Sequence, residues 1–220
     1  ETDLEKIRTA KPPPSRYSGN PGKPLLELSK EQLAELKEAV GKLWSVASQI
    51  RRFRMKSGSL DFASSEVKIL VDDKGVPEEI IQSESDESHQ LIEEFMLLAN
   101  ETVAKELRKK HLPGIFRVHP EPDPENLEEL RSFLSVFGIS CGELSSRKEV
   151  NKMLAQINKH TLAQVLRIKF LRSMKQACYR NTPDGHYGLA KQDYLHFTSP
   201  IRRYADLVVH RTIERLVRRE

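Results

Sequence analysis

His186-Tyr-Gly-Leu-Ala-Lys-Gln-Asp-Tyr-Leu-His-Phe-Thr-Ser-Pro-Ile-Arg-Arg-Tyr-Ala-Asp-Leu-Val-Val-His-Arg211 is the stretch from which the rest of the chain is best understood. It reads as a loop that turns into a helix. Ser199 is a good N-cap and Pro200 fits the first helical position. Ile201, Tyr204, Ala205, Val208 and Ile213 then recur at helical spacing. A helix start carries free N–H groups and a partial positive charge, which favour an anion. Arg202 and Arg203 fall in that first turn, where cations are unfavourable unless an anion, most simply a phosphate, lies beside them. The alternative is an ordinary cap followed by two solvated arginines. Thr198 and Ser199 add hydroxyls, and Tyr187, Tyr194, Phe197 and Tyr204 interleave with the basic residues, as stacking platforms or as core.

The remaining chain reads as helix and hairpin. Thr9 to Pro24 is rich in proline and glycine, and residues 1–28 are expected to be loop or linker. Ser29-Lys-Glu-Gln32 fits a capping box, and Leu33, Leu36, Val40, Leu43, Ala47, Ile50 and Phe53 mark an apolar face before Gly58 ends the helix. Two strands, Glu66 to Val71 and Val76 to Ile81, flank the turn Asp72-Asp-Lys-Gly75. Helices are predicted over 88–109, over 124–137 with Asp123 as cap and Gly138 as stop, from a second capping box at Ser146-Arg-Lys-Glu149, and over 162–179.

Composition narrows the class. The 220 residues are 38% hydrophobic and 31% charged, enough for one domain or two with a charged surface. No apolar run approaches the roughly 18–20 residues that span a membrane. No signal peptide is recognised at Glu1-Thr-Asp-Leu-Glu. Cys141 and Cys178 form no CxxC and read most simply as reduced thiols of a cytoplasmic protein, a single disulfide being the alternative. From Arg167 onward, Lys and Arg number 12 against 5 acidic residues, whereas the remainder holds 24 against 27. The positive charge is thus concentrated with the 186–211 stretch, which suits a polyanionic partner.

That stretch is similar to the signature of the RNase II/RNase R family, the RNB-domain 3′→5′ exoribonucleases, and is nearer the RNase R branch. Gly185-His-Tyr-Gly-Leu-Ala, Tyr194-x-His-Phe-Thr-Ser-Pro-Ile-Arg-Arg-Tyr-Ala-Asp-Leu and His210-Arg211 carry the resemblance. Lys56-Ser-Gly-Ser-Leu-Asp-Phe62, Leu91-Ile-Glu-Glu-Phe-Met-Leu-Leu-Ala-Asn100, Phe116-Arg-Val-His119 and Leu171-Arg-Ser-Met-Lys-Gln-Ala177 follow the same family in the same order.

The resemblance implies an α+β fold, mostly helical with helices on a small antiparallel sheet, and places 29–220 in the C-terminal portion of an RNB domain. It implies hydrolysis of single-stranded RNA from the 3′ end to nucleoside 5′-monophosphates by a protein monomeric when intact. It assigns Arg202 to the phosphate near the scissile bond. Arg203, Thr198 and Ser199 fall to the RNA backbone, Phe62 to stacking on the terminal base, and Glu93 or Glu94 to a ribose. Tyr194 and Tyr204 would shape the channel by packing. His119, His186, His196 and His210 match no compact zinc spacing and read as structural.

The family holds its catalytic Mg2+ with clustered aspartates, and no such cluster is recognised here: Asp72-Asp73 reads as a turn and Asp61 belongs to another block. The ligands are therefore expected outside this chain, which by itself is expected to be inactive. The alternative is an RNB-like RNA-binding protein that has lost its metal-binding aspartates.

Overall fold

A computed structural model describes residues 28–60, 66–71, 75–83 and 86–218. The proline-rich stretch Thr9 to Pro24, the turn residues Asp72 to Lys74, and Phe62 lie outside the described residues. The chain divides into two compact units, residues 1–50 with 63–94 and residues 51–62 with 95–220. The fold is mostly helical, with two small antiparallel sheets among the described residues.

The first unit contains most of α1 (Lys30–Lys56), the strands β1 (Glu66–Val71) and β2 (Pro77–Ser83), and the start of α2 (Glu87–Lys109). The capping box forms: the Ser29 N–H donates to Gln32 Oε1 at 2.9 Å, and the Gln32 N–H donates to Ser29 Oγ at 3.2 Å. The expected apolar face is only partly used. Ala47 is fully buried, but Leu36, Leu43 and Phe53 are exposed. β1 pairs with β2 from Glu66↔Ser83 to Val71↔Pro77, the expected hairpin, with a bulge at Leu70/Val71. Asp86 caps α2, accepting the His89 N–H at 2.9 Å. Sequence reading placed that start at Ser88 and missed the cap.

The second unit has two hydrophobic clusters. One gathers Leu130 and Leu134 of α3 (Pro124–Val136), Val150, Met153, Leu154 and Ile157 of α4 (Arg147–Lys159), and Leu166 and Phe170 of α5 (Ala163–Ser173). The period of 3.6 residues explains each set: spacings of three or four recur, with Met153 and Leu154 side by side on the same face. The other cluster gathers Ala104, Leu107, Phe116, Val118, Leu195 and Val209.

Two caps behave differently from expectation. Asp123 precedes α3 without capping it and pairs with Lys175 at 2.5 Å, and Ser146 makes no side-chain cap while Glu149 takes Lys152 at 2.6 Å. In both cases an ion pair has taken the carboxylate from the backbone.

The helix predicted over 162–179 stops at Ser173. Cys178–Arg180 instead forms β4, paired antiparallel with β3 (Phe116–Val118) at Phe116↔Arg180, Arg117↔Tyr179 and Val118↔Cys178. Tertiary pairing overrides the local helical pattern, because Cys178 packs against the second cluster. The 185–195 loop completes this layer. The Arg117 N–H donates to the Tyr194 carbonyl at 2.9 Å, and the His119 N–H to that of Gly185 at 3.0 Å.

Candidate nucleic-acid interface

The last helix, α6 (Tyr204–Arg218), starts five residues after the predicted cap. Ser199 to Arg203 instead forms a turn, in which the Arg203 N–H donates to the Ser199 carbonyl at 3.1 Å. Asp206 is what holds it. Its side chain is completely buried, and Oδ1 accepts both the Ser199 N–H and Arg203 Nη2, each at 2.8 Å. The anion that sequence reasoning sought beside Arg203 is therefore supplied by the chain itself. An aspartate three residues after an arginine on one helix face was the available signal.

The apolar phase of α6 also differs. Asp206 and Val209 are buried and Ile213 packs on the second cluster, whereas Ile201 is fully exposed and Tyr204 is 71% exposed. Tyr204 is not a packing residue. With the helix beginning later, residues 201 and 204 belong to its solvent-facing entrance.

Thr198, Ser199, Arg202 and Arg203 thus come together on one turn. Arg202 is exposed, and its side chain makes no hydrogen bond or ion pair among the described residues. Arg203 is tied to Asp206 and partly buried. Thr198 Oγ1, Arg203 Nε and Asp206 Oδ2 are buried without a hydrogen-bond partner among the described residues. Tyr194 lies below the turn, buried, with its hydroxyl accepting from Asn100 Nδ2 at 3.1 Å; Asn100 Oδ1 in turn accepts the Phe197 N–H at 2.9 Å. Tyr194 therefore supports the 195–199 segment from inside. Asn100 was missed as part of this support, because an asparagine in an apolar helix gives no local sign of its partners. On α2, Glu94 is fully buried and Glu93 is exposed.

The 185–191 loop is anchored by Arg147, also missed in the sequence. Nη1 donates to the Tyr187 carbonyl at 2.7 Å, and the guanidinium lies 4.4 Å from the Tyr187 ring centroid. Leu60 adds its N–H to the Gly188 carbonyl at 2.9 Å.

His119, His186, His196 and His210 all make contacts within the chain. His119 Nε2 donates to the Lys175 carbonyl at 2.9 Å while Nδ1 accepts the Gly188 N–H at 3.1 Å, so its ring is neutral. His210 donates to the Phe197 carbonyl at 2.8 Å and stacks on that ring at 4.2 Å. Burial pushes His186 down to about 4, with help from nearby His119 and Arg117. Burial likewise pushes His196 to about 4, assisted by Arg203, Arg117 and Arg202 and opposed by Asp206.

No group of three or more His, Cys, Asp or Glu among the described residues could hold a metal ion. These residues do not fit a Mg2+ site. No described helix is long and apolar enough to cross a membrane. Cys141 and Cys178 are free thiols.

The helical fold around the turn of Ser199 to Arg203 is that of an RNB domain. The sequence pattern of that domain matches residues 9–219. The chain belongs to the RNB family. Its relatives include ribonuclease R of Thermotoga maritima (strain ATCC 43589 / DSM 3109 / JCM 10099 / NBRC 100826 / MSB8), 39% identical over 190 residues, or 84% of this chain and 27% of that protein. Among solved structures, Mycoplasma genitalium RNase R in complex with double-stranded RNA aligns with a TM-score of 0.77 and 28% identity, over 86% of this chain and 34% of that one. The same enzyme in complex with ribose-methylated single-stranded RNA aligns with a TM-score of 0.77 and 29% identity, over 86% of this chain and 30% of that one. The chain thus spans about a quarter of the curated relative's length.

Proposed function

We propose that the chain is the phosphate-handling portion of a hydrolytic 3′→5′ exoribonuclease that acts on single-stranded RNA and releases nucleoside 5′-monophosphates. The observation that carries this reading is the Arg202 side chain, exposed and without a side-chain partner among the described residues, on a turn fixed by Asp206. Two parallel charge-assisted bonds from a guanidinium suit a phosphodiester. At the scissile phosphate Arg202 would meet the charge that develops in the transition state. Arg203 is restrained by Asp206, so its part is to shape the turn; the Ser199 hydroxyl is proposed to flank the backbone path, whereas the buried Thr198 hydroxyl faces away from it. Phe62 is proposed to stack on the terminal base, and Glu93, the exposed carboxylate of its pair, to meet a ribose hydroxyl, the group that separates RNA from DNA. Similarity to RNase R structures that contain RNA supports the partner.

Mg2+ is proposed as the metal, held by residues other than the described ones. A second reading, an RNB-like protein that binds RNA without cleaving it, differs from the first only in whether the residues that would hold the metal are present. The test uses 5′-labelled single-stranded RNA and Mg2+ with the longest natural protein that contains this chain. The first reading predicts stepwise shortening from the 3′ end to a short 5′-labelled oligonucleotide with release of nucleoside 5′-monophosphates, at a rate reduced about 10²–10³-fold in Arg202→Ala. Binding without degradation establishes the second. The isolated 220-residue chain is expected to show no degradation.

A further inference from the structure

We propose that Tyr179, Arg117 and His196 form a stacking subsite for one nucleobase of single-stranded RNA beside the Arg202 turn. The proposal rests on the reading that this chain binds RNA, and adds a place for a second base besides the one proposed for Phe62.

Sheet register brings the first two residues together. Arg117 and Tyr179 sit directly opposite in β3 and β4, so their side chains share one face. Their neighbours Phe116 and Val118 point the other way into the core. The Arg117 guanidinium lies 4.9 Å from the Tyr179 ring centroid. The Tyr179 hydroxyl is 2.8 Å from His196 Nδ1, and the two rings meet edge to face at 5.6 Å and 77°. His196 is itself braced by the buried Tyr194 at 5.8 Å.

Tyr179 is therefore held at its tip and backed by a guanidinium, yet remains 44% exposed. A fixed aromatic ring loses little conformational freedom when a base stacks on it, and the adjacent cation suits the phosphates of the same strand. The site is continuous with the phosphate-binding turn. His196 lies three residues before Ser199, a chain reach of at most about 10 Å. The positive charges of Arg202, Arg203 and Arg117 are all felt at His196, where they help keep the ring neutral. If Tyr179 and Arg117 were only a surface pair, nothing about them would depend on the base of a bound strand.

The experiment measures anisotropy of a fluorescein-labelled adenosine dodecamer with the 220-residue chain, using the intact strand and strands carrying one abasic position stepped along the sequence. Tyr179→Ala should weaken binding of the intact strand about tenfold or more, the range for one stacked base. Tyr179→Leu should do the same while keeping apolar bulk, and Tyr179→Phe should stay within about threefold, because the ring is retained. At one abasic position the wild-type chain should lose the same factor, with no further loss in Tyr179→Ala. Unchanged affinity in Tyr179→Ala, or an equal loss with every abasic strand, overturns the subsite. If Arg202→Ala still weakens binding in that case, the RNA-binding reading survives without it. Failure of the wild-type chain to bind at about 10⁻⁴ M removes both.

Discussion

Asp206→Ala is the perturbation that most sharply separates this account from a simple arginine-rich helix start. The Asp206 carboxylate is fully buried, and one oxygen accepts both the Ser199 N–H and Arg203 Nη2. Each hydrogen bond to a charged group contributes roughly 1.5–3 kcal/mol. Removing one partner of a buried pair costs about 3–5 kcal/mol, because a charge is left without compensation. The Arg203 side chain is 21% exposed, so water relieves part of that charge and the lower end, about 3 kcal/mol, is expected. Thermal unfolding of the 220-residue chain, followed by circular dichroism, should show Tm falling by roughly 6–12 °C. Asp206→Asn keeps an oxygen acceptor and loses only the charge, so about 1–2 kcal/mol is expected. RNA affinity should fall in Asp206→Ala even at temperatures where the variant is folded, because the Arg202 turn is no longer held. A Tm within about 2 °C of wild type would refute the role assigned to this carboxylate.

Acid should destabilise the second unit before its carboxylates are all protonated. His186 and His196 are held at about 4 in the folded chain against 6.5 unperturbed, so the unfolded chain binds more protons between those values. Their contribution is present above pH 6.5 and lost as pH falls towards about 4; a His186→Asn/His196→Asn double variant should show a flatter decline of Tm in that window, and an identical profile would contradict the assignment. Ala190 adopts φ of 53°, a left-handed conformation that costs an alanine roughly 1–2 kcal/mol. Ala190→Gly should therefore raise stability to urea by about 0.5–1 kcal/mol, and a loss would show that the alanine methyl packs usefully.

The parts of the fold that were legible were those decided locally. The Ser29 capping box, the hairpin after Glu66 and the buried stripe of α4 each follow from spacing a few residues long. What failed depended on distant partners. β4 was read as helix because its pairing with β3 spans some sixty residues of sequence, and Asp123 and Glu149 left their cap positions for lysines. In the candidate site, Thr198, Ser199, Arg202 and Arg203 do lie on one turn, as the sequence suggested. The phase of α6 was misjudged because Ile201 and Tyr204 look apolar, whereas the buried side belongs to Asp206 and Val209. A buried carboxylate is not visible as core in a hydrophobic pattern, and Asn100 and Arg147 stayed hidden for the same reason.

The central claim is that Arg202 binds an RNA phosphate. Affinity of the 220-residue chain for single-stranded RNA, measured over a range of salt concentrations, tests it directly. Neutralising one phosphate of a single strand contributes about −0.7 to the slope of log K against log salt concentration. Arg202→Ala should bind more weakly and with a slope shallower by about 0.7. Wild-type affinity and slope in that variant would contradict the account.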